Sequence, residues 1–244
     1  MAVYTIADLH LSHAVKKPMD KFGTRWTCHT EKIERRWRAL IEENDTVVLP
    51  GDFSWAMTLD EATEDFKFLD SLPGHKILAK GNHDFWWTTV TKMKQFLSSI
   101  GVGSVDFLMN NAFMADGEII CGSRGWYIEE KLQATKCPTN YEKIVNRETK
   151  RLNFSIEEGK KLSDNDAHIA VYLHFPPVFG DFICRPLIDV MKSHRVQRCF
   201  FGHIHGKYSL DYPQDFEGIK MSLISADYLD FYPMRVSSVN QSHP

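Results

Sequence analysis

Short apolar runs recur along the chain, and each of them is too brief to form a helix. They lie at residues 3–7, 46–49, 76–79, 169–173 and 199–201. Continuous apolar segments of this length are typical of strands that are buried on both faces. The stretches between them carry apolar residues at helical spacing. The pattern therefore predicts an α/β fold in which buried strands alternate with helices.

The amphipathic stretches predict where the helices lie. In residues 30–43, Ile33, Trp37 and Leu40 fall on one helical face behind Thr30, a candidate N-cap. A second helix is predicted to follow a capping box formed by Thr58 and Glu61, and a third to cover residues 86–100. A long polar helix is predicted to end near Leu162, and a short one to run from Pro186 to Met191.

The remaining segments predict turns, loops and late strands. Asp116-Gly117 between two apolar pairs is typical of a hairpin turn. Residues 124–140 are irregular and form the best candidate for a lid or a specificity insert. Alternating segments at 207–211 and 219–225 predict strands that close a sheet. We expect a single domain over residues 1–236 and a frayed C-terminal tail at 237–244.

Length and charge narrow the class of protein. The 244 residues, 43% of them hydrophobic, are sufficient for one well-buried domain. The formal net charge is −3, so the chain lacks the diffuse positive field that polyanion binding normally needs. This disfavours a nucleic-acid partner, although bound metals would supply local positive charge. The sequence leaves the oligomeric state open.

Cysteine usage and the N-terminus bear on the compartment. The five cysteines are widely spaced and include no Cys-x-x-Cys pair. A disulfide framework is therefore not expected, and a reducing compartment fits better. The N-terminal apolar stretch has no basic start and is too short for a signal peptide, and no run of 18 apolar residues predicts a membrane span. We expect a cytoplasmic protein without a membrane partner.

Polar residues follow the five predicted strands in sequence order. They occur in Asp8-Leu9-His10, Gly51-Asp52, Gly81-Asn82-His83-Asp84, the single His174, and Gly202-His203-Ile204-His205. Open α/β sheets place their functional sites at the C-terminal ends of strands. Taken alone, each residue has a plainer reading as a turn residue, a helix cap or a hydrogen-bonded core histidine. Their joint occurrence favours a metal site.

The donor types indicate which cations this set suits. Carboxylate, amide oxygen and imidazole together suit borderline divalent metals such as Mn, Fe, Zn, Ni or Co. In an extended segment Asp8 and His10 point the same way and can hold one ion. Asp52 has the two oxygens needed to bridge a pair of ions. The set therefore predicts two divalent metal ions, with one histidine left over for proton transfer.

These motifs resemble the full signature of the calcineurin-like metallophosphoesterase superfamily, over residues 8–205. The resemblance implies a four-layer α/β/β/α sandwich with two mixed β-sheets. It implies one metal bound by Asp8, His10, Asp52 and His205, and a second bound by Asp52, Asn82, His174 and His203. It also implies that His83 stays free of both metals, near the leaving group, as the catalytic residue. Asp84 is better read as a turn-stabilising residue than as a ligand.

The resemblance implies attack on phosphorus by a metal-bound hydroxide, with His83 donating a proton to the departing alkoxide. We therefore expect an enzyme that hydrolyses a small phosphodiester or phosphomonoester. Gly51-Asp52 continues as Phe53-Ser54-Trp55 rather than Asp-Arg-Gly, which disfavours a protein serine/threonine phosphatase. Gly-Asn-His-Asp also differs from the Gly-Asn-Arg-Asp of lipid-A precursor hydrolases. The sequence is most similar to the bacterial group of small phosphodiesterases and phosphatases.

Residues on the substrate side are less sharply defined. His13 and Arg124 are candidate phosphate contacts because they lie close in sequence to the motifs or to the irregular segment, and Arg25 and Lys207 are further candidates. Residues of these types are more often exposed, solvated charges. Two other functions remain open: a nuclease, and a scaffold of the same fold without catalysis. The nuclease is disfavoured by the acidic balance, and the scaffold by the intact motifs.

Overall fold

The computed structural model describes residues 1–127, 141–163 and 168–236. Within these ranges the chain forms two large mixed β-sheets. The strands of the first sheet are β1 (Val3–Thr5), β2 (Thr46–Pro50), β3 (His75–Ala79), β4 (Val105–Phe107) and β13 (Met234–Val236). Their order is β13, β1, β2, β3, β4. Strands β1 to β4 are parallel, and β13 lies antiparallel at the edge beside β1.

The second sheet contains six strands. They are β5 (Phe113–Ala115), β6 (Glu118–Ser123), β7 (His168–Leu173), β10 (Arg198–Phe201), β11 (Gln214–Phe216) and β12 (Ile219–Leu223). Their order is β11, β12, β10, β7, β6, β5. The four central strands are parallel, and the two edge strands are antiparallel to their neighbours. A small hairpin, β8 (Val178–Phe179) and β9 (Phe182–Ile183), lies outside both sheets.

In the described parts of the chain, five helices cover the outer faces of the sheets. They are α1 (His29–Leu40), α2 (Thr63–Ser71), α3 (Val90–Ser99), α4 (Tyr141–Lys160) and α5 (Arg185–Ser193), with short 3-10 turns at Met19–Phe22 and Thr24–Trp26. Ile33 and Trp37 of α1 pack in one core cluster with Val47 and Leu49 of the first sheet. A second cluster joins α4 and α5 to the second sheet.

A third core cluster lies between the sheets. Val48 and Ile77 of the first sheet meet Ile120, Ala170 and other residues of the second sheet there. The order from outside to outside is therefore helix, sheet, sheet, helix, because each sheet buries one face against the other and one against helices. The four-layer α/β/β/α prediction is confirmed.

Most predicted elements are present, with shifted boundaries. Thr58 and Glu61 make one of the two capping-box contacts, since the Glu61 N–H donates to Thr58 Oγ1 at 3.3 Å. The Glu61 side chain accepts the N–H of Met57 at 2.8 Å instead of that of Thr58. The continuous helix nevertheless begins only at Thr63. Helix α3 likewise starts at Val90, where the Thr89 side chain accepts the Lys92 N–H, so the tryptophans before it lie in the preceding loop.

The strand predicted at residues 207–211 is wrong. This segment forms a turn in which the Leu210 N–H donates to the Lys207 carbonyl at 3.2 Å, and most of its side chains are exposed. The apolar residues of its alternating pattern therefore do not pack against the core. The edge strand next to β12 is instead β11. Residues 124–127 have no regular structure, and both residues 128–140 and the predicted tail at 237–244 lie outside the described residues.

Candidate metal centre

The seven predicted ligands lie in loops that follow the C-terminal ends of strands from both sheets. Asp8 and His10 follow β1, Asp52 follows β2, Asn82 follows β3, His174 follows β7, and His203 and His205 follow β10. Hydrogen bonds from Ala7 N to Ile224 O and from Ala226 N to Ala7 O, at 2.8 and 2.9 Å, join the two sheets at this end. The loops of both sheets consequently reach the same place.

One group of donors consists of Asp8, His10 and His205. Their ligand atoms all lie within 4.8 Å of one another. The Nε2 atoms of His10 and His205 face each other at 3.3 Å, and His205 Nε2 lies 3.9 Å from Asp8 Oδ1. Two imidazole nitrogens and a carboxylate oxygen pointing at one space form a donor set for a divalent cation.

A second group consists of Asp8, Asp52 and His174, again with ligand atoms within 4.8 Å. His174 Nε2 lies 2.7 Å from Asn82 Oδ1 and 3.5 Å from Asp52 Oδ2. The His203 ring packs against the His174 ring, with centroids 5.2 Å apart. Asn82 and His203, both predicted as ligands of the second ion, therefore lie beside this group.

Asp52 connects the two groups. Its Oδ2 atom is 3.8 Å from His10 Nε2 on one side and 3.5 Å from His174 Nε2 on the other. Its other oxygen, Oδ1, accepts the backbone N–H of His83 at 2.8 Å, which fixes the carboxylate. A carboxylate placed between two imidazoles of different groups has the position that a bridging ligand requires.

The unsatisfied polar atoms of the cluster test whether a cation fits. Asp8 is completely buried, and among the described residues its Oδ1 has no hydrogen-bond partner. A buried carboxylate oxygen without a partner is costly, and a bound cation would compensate it. Hard oxygen donors and imidazoles are also the ligands that borderline divalent metals prefer. The residues present therefore fit the metal group that the motifs imply.

Burial shapes the electrostatics of the same atoms. It raises the pKa of Asp8 to about 7, and the nearby Asp52 carboxylate adds to this, while His205 opposes it. Burial also raises the pKa of Asp52 and lowers the pKa values of His10 and His174 well below their ordinary range. The imidazoles of His10 and His174 are thus held neutral, which is the form that binds metal.

The loops reach this geometry through unusual backbone conformations. Asp8, His10, Asp52 and His203 have φ values of 61°, 48°, 53° and 71°. Residues other than glycine rarely adopt this left-handed region, and such strain concentrates at functional sites. The expectation that Asp8 and His10 share an extended segment is therefore wrong, because β1 ends at Thr5. The two side chains converge through the bent backbone instead.

Asp84 supports the loops rather than the cluster itself. Its Oδ2 accepts the N–H groups of Gly81 and Asp52 at 2.7 and 2.9 Å, and its Oδ1 accepts that of Phe53 at 3.0 Å. The indole N–H of Trp86 adds a contact at 3.2 Å. This buried carboxylate therefore ties the loop after β2 to the loop after β3.

Asp227 is a supporting residue that the sequence interpretation missed. Its Oδ1 lies 2.7 Å from Nδ1 of His205, and its Oδ2 accepts the Gly206 N–H at 3.0 Å. Although burial lowers the pKa of His205, this hydrogen bond and the charges of Asp8 and Asp227 raise it to about 9. The available signal was an apolar run ending in an acidic residue, as at Asp8, since Asp227 follows β12.

A cleft of about 570 Å³ opens onto the cluster. Its walls are largely apolar and aromatic and include Trp26, Trp55, Tyr127 and Phe179. His83 lines the same cleft, with its ring 4.3 Å from that of Trp55. Burial lowers the pKa of His83, against the opposite effect of the Asp52 charge.

The candidate phosphate contacts occupy different places. His13 is not among the residues that line the cleft; its Nδ1 lies 2.7 Å from Asp65 Oδ1, a hydrogen bond that raises the pKa of the ring. Arg124 lines a separate neighbouring cavity. Arg25 donates to the Asp227 carbonyl at 2.8 Å, and only Lys207 of the four lines the cleft.

Solved structures of similar fold cover nearly the whole chain. A phosphopantetheinyl hydrolase (PptH) from Mycobacterium tuberculosis has a TM-score of 0.55 at 13% identity and covers 100% of this chain and 98% of its own. TT1561 from Thermus thermophilus has a TM-score of 0.54 at 10% identity, with coverages of 93% and 89%. AQ665, a protein of unknown function from Aquifex aeolicus, has a TM-score of 0.50 at 17% identity, with coverages of 96% and 95%.

Comparison with curated protein sequences finds no match. The family comparison is decisive, because the model of the calcineurin-like phosphoesterases matches residues 1–207. The fold and the donor cluster define a metal-dependent phosphoric ester hydrolase. The chain belongs to the calcineurin-like phosphoesterase family. Among the described residues, no helix combines the length and the apolar character that a membrane crossing requires.

Proposed function

We propose that the protein hydrolyses a small phosphodiester or phosphomonoester at a centre of two divalent metal ions. The position of Asp52 carries this proposal, since one carboxylate oxygen lies between His10 and His174 at 3.8 and 3.5 Å. Two cations bound there would neutralise the phosphoryl oxygens and make a water molecule a stronger nucleophile. Asp8, His10 and His205 would hold one of them, and Asn82, His174 and His203 the other.

His83 is the proposed proton donor to the leaving group. Its ring lines the cleft, and its backbone N–H is fixed by Asp52 at 2.8 Å. Burial lowers its pKa in the free protein. A phosphoryl group entering the cleft brings negative charge next to the ring, which favours the protonated form. The histidine would then carry its proton when the leaving oxygen departs.

The shape of the cleft supports a small substrate whose leaving group is apolar or aromatic. Tyr127 and Phe179 are partly exposed and line the cleft beside the metal centre, next to the buried Trp26 and Trp55. Aromatic faces bind flat or apolar groups through their large contact area. We therefore propose a small phosphorylated molecule as the partner rather than a nucleic acid. We also propose a cytoplasmic location, because the widely spaced cysteines fit a reducing compartment.

The test compares bis(p-nitrophenyl) phosphate with p-nitrophenyl phosphate in the presence of Mn, Ni, Co, Zn or Fe. We expect metal-dependent release of nitrophenol, two bound metals per chain, and loss of turnover in Asp52→Asn. Exposed Asp60 supplies the matched control, Asp60→Asn. Faster cleavage of the diester would identify a phosphodiesterase. Activity confined to nucleic acid would favour a nuclease, and inactivity with every metal would favour a scaffold; either result contradicts the proposal.

A further inference from the structure

A second cavity lies beside the metal centre and is lined by positive charge. Its volume is about 210 Å³, and its lining includes four cations, Lys80, Arg124, Arg147 and Arg151, and one carboxylate, Glu148. The surplus of three positive charges occurs in a chain whose formal net charge is −3. This concentration of cations is therefore a local feature and does not reflect the overall composition.

The one carboxylate among the described lining residues is bonded through one oxygen, and its other oxygen, Glu148 Oε2, is buried without a hydrogen-bond partner there. Glu148 is completely buried in α4, and its Oε1 accepts hydrogen bonds from Arg147 Nε at 3.0 Å and Arg151 Nη1 at 2.9 Å. Arg124 contacts two aromatic rings, those of Trp126 and Phe175, at 5.4 and 5.7 Å from their centroids. The Glu148 carboxylate therefore offsets one of the four cations, and the ring contacts of Arg124 add no further carboxylate.

Two cations of the cavity have donors that lack partners among the described residues. The Nε atom of Arg124 is buried and donates to no hydrogen-bond acceptor there. Half-buried Lys80 forms no ion pair with any described carboxylate. A buried guanidinium donor without an acceptor is costly. Both observations indicate positive charge that a bound anion would compensate.

We propose that this cavity binds a phosphate-type oxyanion separate from the phosphoryl group at the metal centre. Arginine side chains bind such anions through paired N–H donors, and Lys80 adds a point charge. The cavity is smaller than the roughly 300 to 1,000 Å³ of pockets that enclose whole small molecules. It therefore suits a single anionic group.

The cavity adjoins the catalytic cluster through the backbone. Lys80 directly precedes Gly81-Asn82-His83-Asp84, so its Cα lies at most about 7 Å from that of Asn82. Arg124 follows β6, and its carbonyl accepts the N–H of Phe175, the neighbour of His174, at 3.0 Å. The anion has two possible sources, a second phosphate of the substrate or a free anion, and only the first rests on the proposed function.

Titration of the metal-loaded full chain with inorganic phosphate, followed by calorimetry, tests the site itself. Phosphate binding at the metal centre is common to wild type and variants, so the comparison isolates the cavity. We expect Arg151→Gln and Lys80→Gln each to remove a binding event or weaken it about tenfold, and Arg151→Lys to retain it. Lys161→Gln, just beyond the C-terminal end of α4, is the matched control, because this lysine is 67% exposed. Identical titrations for wild type, Arg151→Gln and Lys80→Gln would overturn the proposal.

Kinetics distinguish the two sources of the anion. The substrates compared are a nucleoside bisphosphate and the corresponding monophosphate. If the cavity binds a second phosphate of the substrate, Arg151→Gln should raise the KM of the bisphosphate at least fivefold more than the KM of the monophosphate. Equal effects on both, together with weakened phosphate binding, assign the site to a free anion. Because calorimetry needs no turnover, an inactive protein that still binds phosphate in the cavity refutes the proposed function alone. Binding of an oligonucleotide in place of phosphate would overturn the small-anion assignment.

Discussion

Asp227 Oδ1 lies 2.7 Å from Nδ1 of His205, and this contact directs Nε2 of the same ring toward Asp8 and His10. The side chain of Asp227 is completely buried, so the orientation is firmly held. A carboxylate behind a metal-binding histidine fixes its tautomer and raises its basicity. The cluster therefore depends on a residue outside all the sequence motifs.

The substitution Asp227→Asn tests this dependence. The carboxylate accepts hydrogen bonds from both His205 and Gly206, whereas the amide has only one acceptor oxygen and no charge. We expect metal affinity to fall by about tenfold to a hundredfold. Metal titration followed by calorimetry measures the change, with Asp230→Asn as the matched control, since the Asp230 side chain is 50% exposed. Unchanged affinity in Asp227→Asn would contradict this role.

Gly81 is a second position on which the cluster depends. A Cβ at this residue would overlap both the backbone nitrogen and Oδ1 of Asp52. We expect Gly81→Ala to displace Asp52, so that bound metal falls below two ions per chain and turnover drops by about a hundredfold or more. Gly103→Ala is the matched control, because no atom lies within 4 Å of the Cβ it introduces. Metal analysis beside kinetics is the measurement; full metal content in Gly81→Ala would refute the prediction.

Removal of the metals should destabilise the fold. Asp8 and Asp52 are buried together, and the charge of Asp52 adds to the effect of burial in raising the pKa of Asp8. A cation that binds only the folded state stabilises it by about 2.7 kcal/mol at a hundred times its dissociation constant. We expect a chelator to lower the melting temperature by several degrees, and added Mn or Zn to restore it. A melting temperature that does not respond to the chelator would argue against metal binding by these carboxylates.

Lys76 offers a test of buried charge away from the cleft. Its side chain is fully buried in β3, and burial lowers its pKa from the ordinary 10.5 to about 8. Between these values the unfolded chain binds more protons than the folded chain, so this group makes stability rise with pH. Relative to Lys76→Met, the wild type should gain on the order of 3 kcal/mol as the pH rises from neutral to the ordinary lysine pKa.

Urea unfolding at several pH values measures the effect at Lys76. The control Lys67→Met removes a lysine that is 51% exposed on α2. A constant difference between wild type and Lys76→Met across this pH range would show that the lysine is solvated in the folded state.

The sequence was most informative where local signals decide the structure. The apolar runs correctly predicted β2, β3 and β7, because strands buried on both faces consist mainly of apolar residues. The hairpin turn was also predictable, since Asp116 and Gly117 have φ values of 50° and 75°. The strand predicted at 207–211 was wrong, because this alternating segment pairs with none of the described strands.

Tertiary contacts decide the details that the sequence could not show. The left-handed backbone at Asp8 and Asp52 depends on loop packing, including the hydrogen bonds that Asp84 accepts. His13 turns to Asp65 because a carboxylate on α2 lies within reach, which spacing along the chain does not reveal. Asp227 is 22 residues from His205, so only the fold brings them together.

The strongest test of the proposed chemistry is His83→Ala. The His83 ring lines the cleft, while its backbone N–H contacts a candidate ligand, the Asp52 carboxylate. Removal of the ring should therefore leave both metals bound while turnover falls by about a hundredfold to ten-thousandfold, the usual contribution of a general acid. The loss should be larger for substrates with poor leaving groups, because these need the proton most.

A leaving-group series gives this test a readout that a structural role would not change. Across aryl phosphates of increasing leaving-group pKa, we expect the rate of His83→Ala to decline more steeply than that of the wild type. His75→Ala is the matched control, since His75 is 40% exposed, pairs with Asp106 and lies at the opposite end of β3 from the cleft motifs. Empty metal sites in His83→Ala, or parallel slopes for variant and wild type, would show that His83 organises the centre and does not transfer the proton.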